Sequence, residues 1–163
     1  TLAFFPSLLV QKFGLTVASA GTTMILFAIG GLVYSQFARR WLALLGERGL
    51  ALGGGCVFAL SLGFFAWSGT PPWLAIAACF PAGVGLYMLH NTLQTQATQM
   101  APEARGTAVT LFACVLFLGQ SLGVLLVAGT LDRGVLSGAF AVAGVASVAL
   151  AVWVSRHVGA HKG

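Results

Sequence analysis

Charged residues are scarce in this chain of 163 residues. Only 7% of its residues are charged, eight of them cations and three anions, whereas soluble domains carry about 25%. So few charges cannot cover a water-soluble surface of this size, and 58% of the residues are hydrophobic. The composition therefore predicts that a lipid bilayer solvates the chain. It also argues against nucleic acid as a partner, because the net charge of +5 is typical of the basic loops of a membrane protein.

Cysteine is rare as well, with only three residues, and each lies inside an apolar run: Cys56, Cys79 and Cys114. They form no C-x-x-C pair and no cluster with histidine, so neither a disulfide framework nor a metal site is indicated. We expect buried, inert thiols and no cofactor.

Lysine, arginine, aspartate and glutamate are absent from five long apolar stretches. Each stretch is near the roughly 20 residues that a helix needs to cross a bilayer. A backbone in lipid must satisfy its own polar groups, so these stretches are predicted to be helices. They are Val17–Phe37, Gly49–Ser68, Trp73–Gln96, Gly106–Ala128 and Val135–Val154.

The first apolar stretch, Thr1–Val10, is too short to span a membrane and has no basic segment before it. We interpret it as the remainder of a truncated helix, and the chain as a fragment of a longer protein. Among the connections, Ala38–Arg48 is predicted to be a loop. Pro102 and Glu103 suit the first turn of the following helix, where proline loses no hydrogen bond and a carboxylate meets the positive end of the dipole.

The cations are distributed unevenly between the two sides of the membrane. When the connections are assigned alternately, one side holds six of them and the other side two, Lys12 and Arg133. The positive-inside rule places the six in the cytoplasm, together with the carboxyl terminus. The six are Arg39, Arg40, Arg48, Arg105, Arg156 and Lys162.

Four polar residues fall on one face of the third long helix, and we call them the polar stripe: Tyr87, His90, Asn91 and Gln94. Polar side chains in a membrane helix usually face protein or a wet cavity. Counting about 1.5 Å per residue from Trp73 places the stripe in the cytoplasmic third of the bilayer. Two interpretations stay open, a cytoplasmic gate and polar contacts that only hold helices together.

The segment "GQSLG", Gly119–Gly123, matches the G-x-S-x-G pattern of serine hydrolases, but it lies within a helix rather than on a strand-to-helix turn. The only intramembrane histidine, His90, lies at another depth, so a catalytic pair with Ser121 is excluded. The two glycines instead favour close helix packing. Gln120 is predicted either to line a central cavity or to bond across a helix interface.

Two segments resemble those of a known family. These are the basic loop that ends in "LLGERG" and the long stretch "GLYMLHNTLQTQATQMAPEARGTAVTLFACVLFLGQSLGVLLVAG". Both look like the C-terminal half of a major facilitator superfamily transporter, in the drug and sugar efflux branch of bacterial proton antiporters. The loop departs from the full family motif because the aspartate expected before its basic cluster is missing.

The resemblance implies an all-α membrane fold, a six-helix half built from two inverted three-helix repeats with its first helix truncated. It covers nearly the whole of residues 1–163 and implies that an N-terminal half is missing. It also implies alternating access in a bacterial inner membrane, with a small molecule as substrate and the proton as coupling ion. Cavity-lining candidates are Phe4, Phe5, Met24 and Gln120; gate candidates are the polar stripe; cytoplasmic loop candidates are Arg39, Arg40, Arg48, Glu103 and Arg105.

Two other hypotheses stay open from the sequence. A non-transporting membrane scaffold would need no water-filled path. A half-size transporter would work as a dimer, with a second copy in place of the missing half. An enzyme is not predicted, because no reactive pair lies at one depth.

Overall fold

The computed structural model describes residues 4–131 and 136–157, and every regular element in those ranges is a helix. Four of the helices are long and apolar enough to cross a membrane, which confirms the predicted all-helical membrane architecture. The elements are α1 (Phe5–Phe13), α2 (Val17–Ala66), α3 (Pro72–Met100), α4 (Arg105–Leu131) and α5 (Leu136–His157).

Helix α2 contains two predicted spans joined by a sharp bend. Its 50 residues would extend about 75 Å if straight, far more than a bilayer core of about 30 Å. The helical path breaks at Gly46, whose φ of 63° is favourable only for glycine. We call residues 17–45 the first arm and residues 47–66 the second arm.

The prediction of a loop over Ala38–Arg48 is therefore wrong for most of its length. Residues 38–45 continue the first arm as helix, and Gly46 alone has non-helical backbone angles. The reason is composition, because alanine, leucine and arginine are strong helix formers and no proline interrupts them. Arg39 and Arg40 thus sit on a helical extension of the span.

The first arm and α3 run in the same direction. A Cβ built on Gly83 would overlap the backbone of Phe27, and one built on Gly31 would overlap the ring of Tyr87. Residue numbers therefore increase together along the two helices. Glycine at these positions lets the backbones approach closely, because no side chain stands between them.

The second arm and α3 run in opposite directions. A Cβ on Gly85 would meet the backbone of Phe58, whereas one on Gly54 would lie 2.7 Å from the Leu89 nitrogen. The two arms of α2 are thus antiparallel to each other, and both pack against α3. This arrangement is the one expected of consecutive membrane spans.

Helix α5 packs against the second arm, again through glycine. A Cβ on Gly55 would overlap Ala151, and one on Gly144 would lie 3.4 Å from the Ala59 oxygen, so these helices are antiparallel. The bend at Gly46, the turn after α3 and the end of α5 consequently meet at one end of the bundle. We call it the arginine end; its described arginines are Arg39, Arg40, Arg48, Arg105 and Arg156.

An aromatic core joins four helical segments toward the other end of the bundle. The ring centroid of Phe5 lies 4.8 Å from that of Phe65 and 5.2 Å from that of Phe140, both in edge-on geometry. Phe27 of the first arm contacts the same ring at 5.9 Å. Such pairs add about 0.5–1.5 kcal/mol each beyond the area they bury.

The turn before α4 differs from its prediction. The helix begins at Arg105, so Pro102 and Glu103 lie in the preceding turn rather than in its first turn. The Ala104 nitrogen donates to the Ala101 oxygen at 3.1 Å, which closes a four-residue turn. Proline is favoured at the second position of such a turn because its φ is already fixed there.

The cysteines differ from one another in exposure. Cys79 is buried, as predicted, and its thiol donates to the Ala75 oxygen at 3.6 Å. Cys56 in the second arm and Cys114 in α4 are exposed, so the prediction of burial is wrong for both. An apolar run in lipid has an outward face, and the sequence does not show which residues lie on it.

Candidate functional site

The polar stripe lies on α3 where this helix meets its neighbours. Tyr87 is 38% exposed, and its ring lies directly over Gly31 of the first arm. Asn91, one turn further along, is half-buried, and its amide hydrogen-bonds to the Tyr34 hydroxyl of the first arm. Two stripe residues therefore pack toward the first arm.

The other side of the stripe is close to α4. His90 is half-buried, and its ring centroid lies 5.5 Å from that of Phe112. Gln94 is half-buried one turn further along α3. The four residues thus do not share one neighbour; they lie in the junction between the first arm, α3 and α4.

The depth of the stripe can be measured along α3. This helix has 29 residues, a length of about 43 Å. His90 precedes the last residue, Met100, by about 15 Å of helix axis. His90 therefore lies about 6 Å past the middle of α3, and the stripe extends from near the middle of this helix toward the arginine end.

A contact that the sequence analysis missed lies between the stripe and the arginine end. The Glu47 carboxylate accepts hydrogen bonds from Gln96 Nε2 at 2.8 Å and from Gln99 Nε2 at 3.2 Å. The two amides also contact each other at 3.4 Å. We call this group the glutamine clasp. The sequence feature that could have indicated this contact is a single anion, Glu47, together with two glutamines three residues apart, which share one helix face.

The clasp joins the bend of α2 to the end of α3. Charge-assisted hydrogen bonds are roughly twice as strong as neutral ones, and Glu47 is half-buried, so water competes only partly. The contact therefore links the second arm and α3 at their common end, beyond the glycine contacts deeper in the bundle.

The predicted loop residues occupy three elements of the arginine end. Arg39 and Arg40 are exposed on the helical extension of the first arm, and Arg48 is exposed just after the bend. Glu103 lies in the turn before α4, and Arg105 is the first residue of that helix; both are exposed.

The cavity-lining candidates are not brought together on one surface. Phe5 has no exposed area, and Phe4 is buried in the same aromatic core, against which Met24 packs. Gln120 is exposed on α4. A role for these four residues in lining a cavity stays a prediction.

Helix α4 is the least covered of the long helices. None of the residues in its most apolar window is buried, and the structure leaves open space beside both Gly119 and Gly123. The close packing predicted for these two glycines is therefore not made with any described residue. Gln120 lies between them on the same uncovered helix.

The end of the bundle opposite the arginines contains a different polar contact. The Lys12 ammonium donates to the carbonyl oxygens of Phe65, Ala66 and Trp67 at 2.7, 2.9 and 2.9 Å. These carbonyls end the second arm and have no partner within their own helix. Burial lowers the pKa of Lys12 from its ordinary value of 10.5. Lysine here stabilises a helix end that belongs to another part of the chain.

The described residues offer no group of three histidine, cysteine, aspartate or glutamate side chains that could hold a metal ion. Their chemistry is that of hydrogen-bonding amides, hydroxyls and one imidazole inside a bundle of membrane-spanning helices. Such a set can bind or guide a polar solute, and it can also hold helices together.

Comparison with known protein families shows which class of protein the chain belongs to. Residues 1–162 match the family model of the Major Facilitator Superfamily. The chain belongs to this superfamily. Comparison with curated proteins and with solved structures gave no significant match.

Membership in the major facilitator superfamily identifies the chain as part of a transporter family, with multiple helices embedded in a membrane. It confirms the family expected from Gly85–Gly129 and from the "LLGERG" segment. The polar stripe and the glutamine clasp are then features of a transporter helix, α3, and of its contacts.

Proposed function

We propose that this chain forms the C-terminal six-helix half of a secondary transporter that exports a small molecule by alternating access, coupled to protons. Superfamily membership supports the transport class. The efflux direction and proton coupling follow from the resemblance of Gly85–Gly129 to that branch. The observation that supports a gate is the location of the half-exposed polar stripe at the junction of three helices.

The stripe has a firmly held side and a weakly held side. Tyr87 and Asn91 pack against glycine and tyrosine of the first arm, where the backbones are close. His90 meets α4 through a ring contact with Phe112, and no residue in the most apolar window of α4 is buried. We propose that the gap between α3 and α4 is the part that opens and closes.

The uncovered surface of α4 is the proposed contact with the other half of the transporter. Leucine, valine and phenylalanine side chains cover it, and Gly119 and Gly123 allow a second helix to approach closely. A second copy of this chain could occupy the same surface, which is the half-size alternative. If the N-terminal half covers α4, a cysteine placed at Gly119 should cross-link to that half. If a second copy of this chain covers it, the cysteine should cross-link to the same cysteine of that copy.

We propose that the protein lies in a bacterial inner membrane and that the arginine end faces the cytoplasm. The positive-inside rule supports this orientation, since five arginines lie at that end and Lys12 at the other. The carboxyl terminus is then also cytoplasmic. A fluorescent reporter fused after the last residue, active only in the cytoplasm, tests the orientation independently of transport.

The gate proposal is tested by Asn91→Leu combined with Gln94→Leu in the complete protein. We expect efflux to fall and a cysteine at Gln120 to change its reactivity toward a water-soluble thiol reagent. The exposed Cys56 and Cys114 are first replaced by serine to remove background labelling. Unchanged efflux together with unchanged labelling would contradict the gate.

The same cysteine separates a transporter from a membrane scaffold. A water-filled path predicts that Cys at Gln120 reacts with a charged reagent and that bound substrate protects it. A scaffold predicts no reaction, because lipid or a packed helix would cover the residue. If efflux persists but the cysteine at Gln120 is not labelled, the protein is a transporter and Gln120 does not line its cavity.

A further inference from the structure

Two arginines on the helical extension of the first arm point away from the bundle. Arg39 and Arg40 are exposed, and the described residues give neither of them a hydrogen bond or an ion pair. Trp41, the next residue, packs inward with its ring 5.7 Å from that of Tyr34. Because successive helical residues are about 100° apart, Arg39 lies about 160° and Arg40 about 100° around the helix from Trp41, so neither arginine shares its inward face.

The anion nearest to these arginines in sequence does not neutralise them. Glu47 is turned toward α3, where Gln96 and Gln99 donate to both of its carboxylate oxygens. The outward surface of the extension therefore carries positive charge without an internal counter-ion from that carboxylate.

The depth of the two arginines matches that of lipid headgroups. About 20 residues from Val17 are needed to cross the hydrocarbon core, so the core ends near residue 37. Arg39 and Arg40 then lie about 3–5 Å beyond it, within a headgroup layer of roughly 5–8 Å.

The residues around Arg40 favour an interface rather than bulk water. Phe37 and Leu44 lie one turn before and one turn after it on the same face, and they are 43% and 81% exposed. An apolar residue on each side of a cation is typical of helices at the boundary between acyl chains and headgroups.

We infer that Arg39 and Arg40 bind the phosphate of an anionic phospholipid in the leaflet at the arginine end. Guanidinium groups match phosphate oxygens in pairs of parallel hydrogen bonds, which lysine cannot reproduce. Charge complementarity and headgroup depth identify the occupant. The site does not depend on the proposed transport activity.

The test is lipid binding by the purified protein. Phosphatidylglycerol or phosphatidylcholine is titrated into the protein in a neutral detergent, and retained lipid is counted by native mass spectrometry. We expect phosphatidylglycerol to bind more tightly, and Arg39→Gln with Arg40→Gln to weaken it by about fivefold per arginine. The matched control is Arg105→Gln with Arg156→Gln, which removes the same charge from the same end and should weaken binding much less.

Arg39→Lys with Arg40→Lys keeps the charge and should retain only part of the affinity. Circular dichroism and size-exclusion chromatography verify that each variant is folded. Equal loss in the test and control pairs would show a diffuse positive surface and overturn the site. Equal binding of the two lipids, or undiminished phosphatidylglycerol binding after the glutamine substitutions, would also overturn it.

Discussion

Gly83→Ala is the substitution for which the structure predicts the clearest loss of stability. The added Cβ would overlap the Phe27 carbonyl oxygen and lie 2.9 Å from its carbon, and both atoms belong to the first-arm backbone. Backbone cannot rotate away as a side chain can, so α3 and the first arm must separate. Inserting a methyl group into a tight contact costs about 1–3 kcal/mol, and we expect a value near the upper end.

The measurement is the thermal midpoint of the protein in lipid nanodiscs. A cost of about 3 kcal/mol corresponds to a fall of about 6–12 °C for a chain of this size. Gly63→Ala is the matched control, because the structure leaves open space there and alanine is the better helix former. It should be neutral or slightly stabilising.

A double substitution sharpens the test. A Cβ on Gly30 would overlap the Phe80 oxygen and lie 2.9 Å from the Val84 nitrogen, at the same crossing as Gly83. Once one alanine has separated the helices, the second should cost less, so the two effects should not add. A Gly83→Ala midpoint equal to that of Gly63→Ala, or strict additivity with Gly30→Ala, would refute the close crossing.

Three further substitutions test other contacts by the same thermal assay. Lys12→Gln should lower stability by about 2 kcal/mol, since three helix-end carbonyls lose an ammonium donor; Lys12→Arg should lose less. Thr70→Val should be neutral or stabilising by about 1 kcal/mol, because the buried Thr70 hydroxyl has no hydrogen-bond partner among the described residues and valine has the same shape; destabilisation would contradict this. Phe5→Ala should cost about 3–5 kcal/mol from the aromatic core, whereas a residue that lines an aqueous cavity would change transport with little loss of stability.

Much of the helical architecture could be predicted from the sequence. Long runs without charge in lipid have no alternative to helix, because unpaired backbone groups are too costly there. The extension of the first arm to residue 45 was missed because arginines were taken as the mark of a loop, although they are strong helix formers.

The candidate site was only partly predictable. Helical periodicity placed Tyr87, His90, Asn91 and Gln94 on one side of α3 and indicated their depth. It could not show that Asn91 meets Tyr34 while His90 meets Phe112, because those partners come from helices distant in the sequence. The glutamine clasp was missed for the same reason, since Glu47 and Gln96 are 49 positions apart.

The sequence by itself determined that this protein is embedded in lipid and that its spans are helices, because both follow from local composition and backbone hydrogen bonding. Only the tertiary structure decided which glycines lie at close contacts between helices. Gly83 is in contact with a backbone, whereas Gly119 and Gly123 face open space on α4. All three are glycines in apolar helices, and the difference lies in which neighbour the fold brings against each helix face. That choice depends on contacts between distant segments, which periodicity along one helix cannot specify.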